Sequence, residues 1–136
     1  MISAETIVQA QFYDLDPMQV VWHGNYVRFL EHGRCALMEK IGYSYHEMAN
    51  SGYMWPIVDL HIKYVRPIKL AQKIRLSAKL IEYENRIKID YRLSDADTSE
   101  LFSKAQTTQL AVAIQTGEMT FNSPAELIDK VRKLLS

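Results

Sequence analysis

The sequence predicts an α+β fold, with one long helix wrapped by a curled antiparallel sheet of about five strands and a short helix at the end. Three observations predict it. The apolar residues Tyr26, Phe29, Leu30, Gly33, Leu37 and Ile41 recur at spacings of three and four, which is the stripe of one helix face. Segments on either side alternate with period two, the pattern of strands with one covered face. No linker, low-complexity tract or internal repeat divides the 136 residues, a length suited to a single core, so residues 1–136 read as one domain.

The first strand is expected from Glu5 to Tyr13, a stretch rich in β-branched and aromatic residues. The helix follows from Tyr26, with Asn25 placed to cap it and Gly42 to end it. From Trp55 the period becomes two, with Val58, Leu60, Ile62 and Tyr64 on one face and Asp59, His61 and Lys63 on the other, until Arg66-Pro67 interrupts the ladder. Lys73 to Tyr83 alternates again, Glu84-Asn85 forms a tight turn, and Arg86 to Ser94 answers as the next strand. After the polar DADTS loop a long strand is expected from about Glu100 to Gln115, closed by Thr116-Gly117. The terminal helix should open with Ser123 as cap, Pro124 at the first helical position and Glu126 three residues after the cap. A helix with a single apolar stripe needs a partner for it, and the sheet is the only large element available. The second sheet face and the edge strands remain candidates for an oligomer interface.

Composition narrows the function. Basic and acidic residues balance at 16 each, so the chain lacks the positive field of a nucleic-acid binder. The single cysteine, Cys35, excludes an internal disulfide and reads as a small buried hydrophobe in mid-helix. The amino-terminal MISAETIVQAQ has neither a basic nor an apolar leader region, so a cytoplasmic location is expected. No stretch approaches the ~18 apolar residues of a membrane span. His32, His46 and His61 lack metal-ligand spacing, and the five glycines are scattered singly, so neither a zinc site nor a phosphate loop is expected.

The stretch DLDPMQVVWHGNY, residues 14–26, holds the candidate chemistry. Asp16-Pro17-Met18-Gln19 has the form of a capping box worth about 0.5–2 kcal/mol, with Asp16 as cap and Gln19 reaching back. The same carboxylate, beside helix-end N–H groups, is also placed to work on a substrate carbonyl, and the two roles are compatible. His23 is either a general base or a packed residue. Trp22, Tyr53 and Trp55 are possible pocket lining or simply core.

Asp14-x-Asp16-Pro17-x-x-Val20-Val21-Trp22-His23-x-Asn25-Tyr26, followed by Glu31 and Arg34, resembles the opening of hotdog-fold acyl-CoA thioesterases of the 4-hydroxybenzoyl-CoA thioesterase and YbgC type. Val58-Asp59-x-x-Ile62-x-Tyr64-x-x-Pro67 resembles that family's second strand, and Ala105-x-Thr107 through Thr116-Gly117 its last long strand. The resemblance implies a hotdog fold and a homodimer or homotetramer with active sites at the dimer interface. It implies an acyl-CoA substrate, with coenzyme A as part of that substrate and no separate cofactor. Asp16 takes the role of nucleophile or general base, and the backbone N–H at His23 polarises the thioester carbonyl. Gln19, Val20, Trp22, Asn25 and Tyr26 are the expected substrate-binding neighbours.

Two positions depart from the family pattern. Met18-Gln19 stands where relatives carry a glycine, which restricts the loop, and Gln72 stands where relatives often have an aspartate. An acyl-carrier-protein thioester is the nearest alternative substrate, and a hotdog protein that binds acyl groups without turnover is the alternative from another class. A dehydratase would need a His-Phe-Pro type motif, which is absent.

Overall fold

A computed structural model describes all residues 1–136. Strand β1 (Ser3–Gln9) leads through a single 3-10 turn (Phe12–Asp14) and the Asp16 loop to a second 3-10 turn (His23–Asn25), which runs directly into α1 (Tyr26–Ile41). A short α2 (Tyr45–Asn50), β2 (Tyr53–Met54), β3 (Ile57–Tyr64), β4 (Lys73–Glu82), β5 (Ile87–Asp95), β6 (Leu101–Gln109), β7 (Val112–Ala113) and α3 (Ala125–Leu135) complete the chain. Five strands form one antiparallel sheet in the order β1-β4-β5-β6-β3, and β2 pairs with β7 apart from it. This is the hotdog arrangement expected from the sequence.

The helix stripe and the sheet face meet as the periodicities require. Phe29, Leu37 and Ile41 of α1 are buried together with Ile74, Leu76 and Ala78 of β4 and Ile89, Tyr91 and Leu93 of β5. Gly42 ends α1 at φ +84, a left-handed geometry that glycine adopts without steric cost. The Tyr43 N–H then closes back on the Met38 carbonyl at 2.9 Å, a Schellman-type closure.

Several boundaries differ from expectation for identifiable reasons. Strand β1 stops at Gln9 because Phe12–Asp14 turn into a 3-10 segment that Asp14 closes with its own carboxylate. The long last strand breaks after Gln109, where Leu110 donates to Pro56 and the chain leaves the main sheet to pair with β2. Ser123 does not cap α3: Pro124 occupies that position with extended backbone, and the buried Ser123 hydroxyl has no partner. Cys35 is exposed on the outer face of α1 rather than buried. Helix α2 was not anticipated, although Ser44 and Glu47 carry the spacing of a capping box.

The largest departure is β3. Its predicted inner face was to be covered, yet Val58, Leu60 and Tyr64 are exposed and only Ile62 is half-buried. The helix packs across β1, β4 and β5 and does not reach this edge. An apolar edge strand is thus left open along one side.

Candidate active site

Asp14 and Asp16 sit two residues apart and do opposite things. Asp14 is buried, and its carboxylate accepts the Gln11 N–H at 2.8 Å and pairs with Arg28. Its backbone carbonyl accepts the Trp22 N–H at 2.9 Å and the Asn25 side-chain amide at 2.8 Å. One residue therefore ties together the segments before and after the loop. Asn25 was expected to cap α1, but its own backbone is already helical and its side chain serves this tie instead.

Asp16 does not open a helix, which corrects the capping-box reading. It opens a tight turn: Gln19 N–H returns to the Asp16 carbonyl at 2.9 Å, and Met18 N–H reaches Asp16 Oδ1 at 2.8 Å. The flanks of the turn pair as Leu15 with Val21, and Val20 bridges to Lys69. A proline at the second position and an Asx bond favour such a turn as readily as a helix start, so the sequence pattern was ambiguous. Gln19 takes φ +65, the left-handed region where glycine is at home. Gln19→Val should therefore lower stability by about 1–2 kcal/mol, whereas Gln19→Gly should leave the folded state intact, as measured by urea unfolding. A valine variant as stable as wild type would remove this account of the turn.

Past the turn the chain meets the helix end. A methyl group at Gly24 would fall 2.4 Å from the Trp22 ring, so only glycine lets that ring lie across the turn. The N–H groups of His23 and Gly24 have no hydrogen-bond partner within the chain, while Asn25 N–H is taken by the Trp22 carbonyl at 2.9 Å. Unpaired donors at a helix N-terminus favour negative charge.

These elements enclose an open cleft of about 290 Å³. Of the residues singled out from the sequence, Asp16, Val20, His23 and Tyr26 line it, together with Met18, Val21 and the Tyr64–Pro67 stretch at the end of β3. Gln19, Trp22 and Asn25 stand outside the lining: Gln19 and Trp22 face solvent and Asn25 braces Asp14. The Tyr64 contribution was missed as a site feature, although Tyr64-x-x-Pro67 was legible as a strand end. Tyr64 packs edge-on against Tyr26, ring centroids 4.7 Å apart, and its hydroxyl donates to the His23 carbonyl at 2.8 Å. Burial, then the neighbouring Tyr64, pushes the Tyr26 phenol up to about 12 against the opposing effect of an Ile68 backbone hydrogen bond, so it stays neutral at the cleft floor.

Glu31 and Arg34 pair with one another in a separate, smaller pocket beneath Tyr45. Tyr53 and Trp55 line a third hollow, with Trp55 Nε1 donating to the Tyr43 hydroxyl at 3.1 Å. No group of three or more His, Cys, Asp or Glu side chains is disposed to hold a metal ion. No helix is long and apolar enough to cross a membrane.

Known proteins share this architecture. The DHNA-CoA thioesterase from Staphylococcus aureus superposes with a TM-score of 0.84 at 26% identity, over 99% of this chain and 94% of that one. YneP of Bacillus subtilis is 34% identical over 61 residues, 45% of this chain and 44% of that protein. The Arabidopsis thaliana chloroplastic acyl-acyl carrier protein thioesterase ATL3 is 30% identical over 76 residues, 56% of this chain and 40% of that protein. The chain thus aligns with under half the length of these two curated relatives. The family description matches far more of it, from residue 10 to residue 134, a span that holds the Asp16 loop, α1 and the whole sheet after β1, and by this match the chain belongs to the thioesterase-like superfamily.

Proposed function

We infer that this protein hydrolyses an acyl-CoA thioester to the free acid and coenzyme A, in the manner of the 4-hydroxybenzoyl-CoA thioesterase and YbgC type. The observation that carries the reading is the cleft itself, whose largely apolar lining includes Asp16 and His23, a residue with an unpaired N–H at the helix end. A thioester carbonyl needs an oxygen nucleophile on one side and hydrogen-bond donors for the oxygen that becomes negative. Asp16 either attacks the carbonyl carbon, expelling the thiolate and leaving a mixed anhydride that water opens, or removes a proton from the water that attacks directly. In both routes the His23 N–H stabilises the oxyanion. Coenzyme A enters as part of the substrate, and neither route as written uses a separate cofactor.

The exposed apolar edge of β3 supports a homodimer joined there, because Tyr64 and Arg66 of the cleft lie at that edge and pairing would wall in the site. A carrier-protein thioester is the second substrate reading, supported by the likeness to ATL3. The decisive experiment measures thiol release from aliphatic and aromatic acyl-CoAs and from the same acyl groups on a carrier protein, with the enzyme's mass followed by light scattering. Turnover of a CoA thioester by a dimer or tetramer is expected. Turnover of carrier-protein thioesters alone would favour the second reading, and no turnover of either would leave an acyl-binding protein.

A further inference from the structure

We propose that Tyr64 is a positioning residue: its hydroxyl clamps the carbonyl of His23, in the planar peptide that carries the Gly24 N–H, and so holds in place the turn from which the His23 N–H of the preceding peptide is offered to the substrate. The inference rests on the thioesterase reading above.

Tyr64 is the last residue of the exposed edge strand β3, yet its side chain crosses to the turn that begins α1. The hydroxyl donates to the His23 carbonyl at 2.8 Å. That same oxygen accepts the Tyr26 N–H, so it joins the 3-10 turn to the helix. A carbonyl oxygen has two lone pairs, and here both are engaged. The turn is pinned from its other side as well, since the Trp22 carbonyl accepts from Asn25 and the Trp22 N–H donates to Asp14, each at 2.9 Å. Rotation of the peptides flanking His23 would break several of these bonds together. What remain unpaired are the His23 and Gly24 N–H groups, and of the two residues His23 lies on this fixed frame at the wall of the cleft that Asp16 also lines. Rigidity of this kind decides the strength of an oxyanion donor, because a displacement of about 1 Å is enough to cost roughly 10²-fold in rate.

Packing alone does not account for the hydroxyl. The Tyr64 ring meets Tyr26 edge-on, a contact phenylalanine would reproduce. The residue is also 47% exposed, so water was available to its O–H and burial did not force the bond to His23.

Tyr64→Phe tests the proposal because it keeps the ring contact and removes only the donor. Expected are a fall in kcat of roughly 10- to 100-fold, a KM within about twofold and an unchanged thermal midpoint. In nuclear magnetic resonance spectra the His23 carbonyl carbon and the Gly24 amide nitrogen of the same peptide should both shift. Tyr64→Leu, which also loses the ring, should lower the thermal midpoint. A Tyr64→Phe enzyme with wild-type kcat overturns the proposal, as does a parallel loss of kcat, KM and thermal midpoint, which marks a scaffold role. The carbon shift reads the clamp whether or not a thioester turns over. An inert wild type therefore sinks the thioesterase reading, and an unmoved His23 signal sinks the clamp.

Discussion

Asp16→Asn should cost about 10²- to 10⁴-fold in kcat for the best acyl-CoA, the range for loss of a catalytic acid–base group, with stability within about 0.5 kcal/mol of wild type. The expectation is specific because the structure separates the side chain's two oxygens. Oδ1 accepts the Met18 N–H and holds the turn. An asparagine carbonyl supplies the same acceptor, and asparagine favours such turns as aspartate does. The other oxygen has no partner within the chain and belongs to a residue that lines the cleft. Only that position loses its function in the variant, since an amide nitrogen neither attacks a thioester nor takes a proton from water. The measurement is thiol release under saturating substrate, with urea unfolding of the same preparation. A mutant within threefold of wild type in kcat would remove Asp16 from the mechanism. Should the large loss appear, a single turnover in heavy-oxygen water tests the nucleophilic route: label recovered in Asp16 shows a mixed anhydride opened at the aspartyl carbonyl, whereas an unlabelled Asp16 fits a general base or opening at the acyl carbonyl.

The sequence read well where one period ruled a whole segment. The stripe from Tyr26 to Ile41 is the helix within its predicted bounds, and the alternation in β4 and β5 matches buried inner faces residue by residue. It read poorly where one pattern serves two structures. Asp-Pro-x-Gln is both a helix cap and a turn, and what decided for the turn was non-local: Val20 bridges to Lys69, and Val21 donates to the Ile68 carbonyl at 2.8 Å. The alternation in β3 was real, yet it encoded an apolar edge that the chain's own helix does not cover. The cleft lining showed the same division. Asp16, Val20, His23 and Tyr26 come from one continuous stretch and were visible together, whereas Tyr64 and Arg66 arrive from a strand some forty residues away, by register and sheet order. Met18-Gln19 seemed to narrow the loop beside the substrate, but Gln19 spends its unusual backbone angle on the turn and points away from the cleft.

The division of labour within the Asp-x-Asp pair leads to the opposite phenotype for its first member. Asp14→Ala should destabilise the fold by about 1–3 kcal/mol, chiefly by leaving the part-buried Gln11 N–H without its acceptor and opening the turn that this bond closes. The ion pair with Arg28 adds little to that figure, because the arginine side chain is 45% exposed and regains water when its partner is gone. The backbone carbonyl of residue 14 survives the substitution, so its bonds to Trp22 and Asn25 remain chemically possible, but the 3-10 turn that aims it is closed by the lost carboxylate. Loosening that turn shifts Asp16 and the His23 N–H relative to each other. Activity should therefore fall by roughly 10-fold or more through misplacement, and it should fall together with the unfolding midpoint. Asp16→Asn, in contrast, separates the two readouts. Urea unfolding and steady-state kinetics on the two variants side by side check this. If Asp14→Ala were as stable as wild type, or if Asp16→Asn were the less stable of the pair, the assignment of anchor and reacting carboxylate would have to be reversed.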